Sequence, residues 1–176
     1  MNMAKNMDQL IYDGWLKIHK RKISGKTYDI LVDYNAVAVI IENEFHDILL
    51  VKQFRPALLE ESIEISAGII DNQNEEIIEC LLREIQEETQ LILKPESLQF
   101  ILSYKPNVGC SNSILYLYSA VIRKDDFKHR HINDQEVYEA FWMSFEELEK
   151  KLQRSEIIDV KTIVAYFCIK NGTLIT

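Results

Sequence analysis

Three glutamates fall within a five-residue span in the string Arg83-Glu84-Ile85-Gln86-Glu87-Glu88-Thr89. At the helical angle of 100° per residue, Glu84 and Glu88 lie about 40° apart, with Glu87 about 60° to the other side of Glu84. All three carboxylates therefore share one side of a helix. They occupy its last turns, where the macrodipole is already negative, and like charges at i,i+4 repel. A compensating cation is expected. A hard divalent ion with oxygen ligands is the simplest one, and Mg²⁺, with Mn²⁺ as substitute, suits carboxylates at a phosphate-handling site. The competing reading is a solvated acidic helix in which Glu79 and Arg83 form an ordinary i,i+4 pair.

The helix itself is written over Glu75 to Gln90, where Ile77, Ile78, Leu81, Leu82 and Ile85 form one apolar stripe of period 3.6. Upstream the period is two. Gly14 to Ile23 and Thr27 to Tyr34 are β-rich and joined by Ser24-Gly25-Lys26, which predicts a hairpin. Ala36 to Glu42 and Ile48 to Phe54 are apolar, β-branched runs that predict buried strands, and Ile63 to Ile70 reads as one further strand. Downstream, Phe100 to Tyr104, Ile114 to Ile122 and Glu139 to Met143 return to strand character. Ser144 opens a helix with Glu147 three residues on, and Asp159 caps a last helix that ends near Asn171-Gly172. Strands mixed with three helices predict an α/β (α+β) sandwich.

With 176 residues and 47% hydrophobic content, the chain can bury one sizeable core. Its net charge of −8 argues against nucleic acid or an anionic membrane as partner, since both require clustered Lys and Arg. Cys80, Cys110 and Cys168 are widely spaced and odd in number, which predicts neither disulfides nor zinc and fits a reducing cytoplasm. No apolar run approaches the roughly 20 residues of a membrane span. His19, His46, His129 and His131 have no spacing partner within a carboxylate constellation, and His129-Arg130-His131 reads as a basic surface loop. Cys110 has no base beside it in sequence and reads as a small packed residue.

The segment Gly68-Ile69-Ile70-Asp71, then Glu75, then Arg83 to Glu88, resembles the Nudix box. Outside it, Val51 to Ala57, Glu64-Ile65-Ser66-Ala67-Gly68 and Ile157 to Thr162 are similar to segments of ADP-ribose and related nucleoside-diphosphate-sugar pyrophosphatases. This resemblance implies the Nudix fold, a mixed sheet sandwiched between helices. It divides the chain into an N-terminal strand region, 1–34, that supports a homodimer, and a hydrolase domain, 35–176. By position it implies Glu84 and Glu88 as principal metal ligands, Glu87 and the Ala67 carbonyl as further ones, and Arg83 as the residue that orients the glutamates. It also implies Arg55 on the diphosphate, Trp15 against the base, and Gly109 in a substrate loop. For Trp15 an ordinary packed strand aromatic is the competing reading. Glu136 matches the loop of a catalytic glutamate, with Glu139 and Glu88 as rivals for the general base.

The implied reaction is metal-dependent hydrolysis of the diphosphate bond of a nucleoside-diphosphate sugar, with ADP-ribose first (giving AMP and ribose 5-phosphate) and a UDP-sugar next. The chain departs from the pattern at several places. One extra residue lies between Gly68 and Glu75, Gln90 and Ser66 stand for glycine and proline, and the loop Asn107 to Ser113 lacks a terminal glutamate. These departures motivate the alternative of a catalytically weak module that binds a nucleotide-sugar as a sensor.

Overall fold

The computed structural model describes residues 8–72, 74–132 and 137–173. The chain begins with an antiparallel three-stranded sheet in the order β1 (Gln9–Asp13), β2 (Lys17–Ile23), β3 (Lys26–Val32). The β2–β3 hairpin turns at Ser24 and Gly25, both at positive φ (50° and 81°), as a two-residue turn demands. β1 was not predicted from sequence. It is short, lacks alternation, and owes its strand conformation to pairing with β2.

Among the described residues the main sheet has eight strands. Its path runs β10 (Arg130–His131), β11 (Val137–Ser144), β5 (Asp47–Arg55), β4 (Asn35–Glu42), β9 (Leu115–Val121), β8 (Gln99–Tyr104), with β6 (Glu60–Glu64) paired to β5 and β7 (Ala67–Ile70) paired to β4. Strand β4 carries the unbroken apolar run Ala36–Ile41 because both its faces are covered. Val37, Val39 and Ile41 pack with Cys80, Leu81 and Ile85 of α1 (Ile77–Thr89). Ala38 and Ile40 pack with Leu148 of α2 (Phe145–Gln153) and with Ala165 and Cys168 of α3 (Val160–Lys170). Burying Leu81 and Ile85 stabilises the helix by roughly 1.5–3 kcal/mol each. The result is the mixed sheet between helices expected from the sequence. Among the described residues no helix is long and apolar enough to cross a membrane.

The single strand expected over Ile63 to Ile70 is two. Glu64 pairs with Val51 on β5, whereas Ala67 pairs with Ala38 on β4, and the chain changes partner through Ile65-Ser66. Backbone register is invisible to period counting, so the switch cannot be read from alternation. It positions the site, because β4 and β5 are paired only at Glu42–Ile48 and the opening between them is where β6 gives way to β7.

Helix α1 begins with a reciprocal capping box, Glu76 with Glu79, and ends at Gln90 in the left-handed region (φ 59°), whose N–H reaches the Gln86 carbonyl at 2.8 Å. A side chain there costs about 1 kcal/mol relative to glycine. Part of that is offset by a contact glycine could not make, Arg130 Nη1 donating to Gln90 Oε1 at 3.1 Å.

Candidate active site

Glu88 is the most enclosed of the three box glutamates, 7% exposed, and its Oε2 accepts the Ala67 N–H at 3.0 Å. Burial raises its carboxyl to about 8. The Ala67 N–H, the nearby Ser66 hydroxyl and the charge of Lys161 favour the anion without offsetting that penalty. Glu84 lies directly over Gly68. A Cβ at residue 68 would come within 1.9 Å of the Glu84 carboxyl carbon, so glycine admits the carboxyl at this position and any side chain would displace it. Burial also raises the Glu84 carboxyl, against the adjacent Arg83.

Arg83 is the hub of the helix. It holds Glu75 through Nε at 3.0 Å and Nη2 at 3.3 Å, and its Nη1 meets Glu84 at 2.7 Å and Glu87 at 3.0 Å. These contacts, the Glu75 hydrogen bonds foremost, raise the pKa of its guanidinium further. The ordinary Glu79–Arg83 pair of the competing reading does not form, since Glu79 instead caps the helix start by accepting the Glu76 N–H. The extra residue between Gly68 and Glu75 does not keep Glu75 from Arg83, because an insertion in a loop is absorbed at little cost.

A second charged group lies across the β6–β7 switch. Arg55, at the end of β5, donates to Glu64 through Nε at 2.7 Å and Nη2 at 2.5 Å, and Glu64 also accepts from Lys161. Burial alone would raise Glu64, yet the Arg55 hydrogen bonds and the Lys161 charge bring it down to about 2. Neither Glu64 nor Lys161 was singled out in sequence as a site residue. An acid flanked by Ile63 and Ile65 was the available signal.

Of the remaining expected residues, Glu136 lies outside the described residues. Glu139, on β11, accepts from His129 Nε2 at 2.8 Å and has Lys52 at 4.0 Å, so His129, expected to be without a carboxylate partner, has one. His46 likewise pairs with Glu42. Trp15 is 67% exposed in the β1–β2 connection, its ring 5.9 Å from that of Tyr34, and is not the packed strand aromatic of the competing reading. Tyr34 borders an open cavity of about 450 Å³ with Asp71, Lys105 and Asn112 on its other walls. Gly109 sits in the β8–β9 loop, where an added Cβ would meet nothing within 4 Å, so local space does not demand glycine.

Residues 34–163, nearly three quarters of the chain and including every described member of both charged groups, match the model of the NUDIX domain. The chain belongs to the Nudix family. Two curated relatives align over most of this Nudix chain. The "ADP-ribose pyrophosphatase" of Bacillus subtilis (strain 168) is 29% identical over 137 residues, 78% of this chain and 72% of that protein. The "Methanol dehydrogenase activator" of Bacillus methanolicus is 26% identical over 130 residues, 74% of this chain and 69% of that protein. The protein is accordingly a Nudix pyrophosphohydrolase, an enzyme class that generally uses divalent metal ions.

The residues fit such an ion. The donors are all oxygens, and among the described residues Glu88 is a buried carboxyl with no cation in contact, while the neighbouring buried Ser66 Oγ makes no hydrogen bond of full geometry. Among the described residues the side chains are not already gathered into a ligand cage, because Arg83 holds Glu84 and Glu87 while Glu88 turns to the Ala67 N–H. A metal would therefore compete with Arg83 for two of its carboxylates.

Proposed function

We propose that this Nudix enzyme hydrolyses the diphosphate bond of a nucleoside-diphosphate sugar, with ADP-ribose preferred (to AMP and ribose 5-phosphate) and UDP-sugars next. The observation that carries the reading is the buried Glu88, set beside Glu84 over Gly68 and across the β6–β7 switch from Arg55. The pyrophosphatase relative supports the choice of ADP-ribose.

Glu84, Glu87, Glu88 and the Ala67 carbonyl would hold Mg²⁺, with Mn²⁺ as substitute. When bound, the ion neutralises the bridge and acidifies a water. Arg83 would orient the carboxylates, keeping Glu75 while leaving Glu84 and Glu87 available to hold the ion. Arg55 supplies a fixed cation to the diphosphate oxygens. Water attacks one phosphorus, the bridging P–O bond breaks, and a carboxylate takes the water proton. Glu88 is one base for this step, with Glu139 and the expected Glu136 as alternatives. The nucleoside would extend toward Trp15 and the glycine loop at Gly109. We place the enzyme in the cytoplasm, in keeping with its three free cysteines, and read it as a homodimer through the β1–β3 sheet, whose Leu10, Ile11 and Tyr12 stand exposed.

The similarity to a dehydrogenase activator favours a second reading, a module whose nucleotide-sugar binding serves a partner. One assay separates the two. With Mg²⁺ and a panel of ADP-ribose, UDP-glucose and GDP-mannose, the protein should release a nucleoside monophosphate, and Glu88→Gln should lower kcat/KM by about a hundredfold or more. Binding without turnover would move the assignment to the second reading.

A further inference from the structure

We propose that Lys161 is a positioning residue for substrate binding, clamping the buried Glu64 together with Arg55 so that Arg55 is presented to the diphosphate at a fixed angle and within a charge-balanced cluster. The inference rests on the reading of Arg55 as the diphosphate contact.

Glu64 is 2% exposed, and Lys161 is 8% exposed on the first turn of α3. Buried charges of this kind persist only when paired, and here the pairing is complete on both sides. Glu64 accepts two hydrogen bonds from Arg55 and one from Lys161, and Lys161 Nζ also donates to Asp159 at 2.9 Å. Two acids and two cations balance. Arg55 uses Nε and Nη2 on Glu64, which leaves Nη1 without a partner among the described residues on a side chain 38% exposed. A guanidinium held at one edge by a fixed carboxylate offers its other edge with little orientational freedom left to lose.

The clamp is tied to the metal side of the site. Asp159 accepts the Thr162 N–H at 2.9 Å and the Thr162 hydroxyl at 2.6 Å, and that hydroxyl accepts the Ile65 N–H at 3.0 Å. Two residues on, the Ala67 N–H reaches Glu88. The start of α3 thus holds the β6–β7 switch by its backbone and Glu64 by its charge. Replacing Lys161 with an apolar residue would leave Glu64 and Asp159 with Arg55 as their one cation, a net charge of about −1 beside the place a dianionic diphosphate must occupy.

The test is calorimetric titration of the folded, full-length protein with methylenediphosphonate, a diphosphate that cannot be hydrolysed, at one fixed Mg²⁺ concentration. Lys161→Met should weaken binding about tenfold in the wild-type background and less than about twofold in an Arg55→Ala background, because the lysine acts through the arginine. Asp159→Asn keeps a good helix cap and removes one negative charge, so binding should be equal or up to about threefold tighter. A purely structural role predicts the same loss with and without Arg55, and weaker binding in both single variants; either result overturns the proposal. So does a wild-type protein that fails to bind the probe. Should Lys161→Met not fold, the direction of the Asp159→Asn change decides alone. The substrate reading fails separately: probe binding that responds as expected, in a protein that cleaves no nucleotide-sugar, would leave the clamp standing and remove the proposed substrates.

Discussion

The centre of the main sheet and the N-terminal sheet solve opposite problems. In β4, six consecutive residues from Val37 to Glu42 are buried and both faces are covered by helices. In β1 every residue is exposed, and Leu10, Ile11, Tyr12, Ile23, Tyr28 and Val32 of the small sheet all show large apolar surface. Its ties to the rest of the molecule include the Leu31 N–H, which reaches the Cys110 carbonyl at 2.8 Å in the glycine loop. A three-stranded sheet without a covered face has little stability of its own. The main-sheet region pairs most of its buried charges internally, whereas the N-terminal sheet carries apolar surface that the described residues leave exposed. Rigid placement of charge belongs to the first region, and the second is where the proposed association would act.

The sharpest way to break the internal half is at Gly68. Gly68→Ala should reduce hydrolysis by about a hundredfold, because a methyl group there displaces the Glu84 carboxyl by an ångström or more while leaving the apolar core untouched. Steady-state kinetics alongside a thermal melt checks it, and near-wild-type activity would mean that Glu84 works from another position.

A smaller effect concerns stability. In metal-free protein the Glu88 carboxyl is raised by burial from 4.5 to about 8, so its stabilising contribution is present below the unfolded value and is lost as pH rises through the folded one. Melts in EDTA between about pH 5 and about pH 9 should therefore show Tm falling toward alkaline pH. Glu88→Gln should flatten that fall, and Mg²⁺ should reverse it in the wild type. The same slope in both proteins would assign the loss to other groups.

The mildest expected change tests the outer region. If the β1–β3 sheet joins two copies, Leu10→Ser combined with Tyr12→Ser should convert dimer to monomer in sedimentation at about micromolar concentration, with Tm within a few degrees of wild type. A wild-type protein that sediments as a monomer at about 100 µM would end the dimer reading.

Much of this was legible in the chain because its signals are local. The α1 stripe, the Ser24-Gly25 turn and the Ser144 and Asp159 caps depend on residues a few positions apart, and the structure has each of them. Even the Gln90 departure was interpretable, since a left-handed residue after a helix is a property of the backbone there. Other features, besides β1, were not legible. The division of Ile63 to Ile70 into two strands follows from which neighbour each half pairs with. Arg83 was expected to orient the glutamates, but its hold on Glu75 in place of a simple i,i+4 pair with Glu79 depends on how the chain returns from β7 to the helix. Glu64 and Lys161 are 97 residues apart, and no spacing rule connects them.

By itself the sequence determined the helix that carries the carboxylates, their shared side and the class of ion they suit, because helical geometry converts spacing into direction without reference to the rest of the chain. The tertiary structure alone decided how deeply each carboxylate is buried, that Glu88 faces the Ala67 N–H while Glu84 rests on Gly68, and that Arg55 and Lys161 share Glu64. Charge in a protein takes its energy from its surroundings, and here those surroundings are assembled from strands and helices that are distant in sequence.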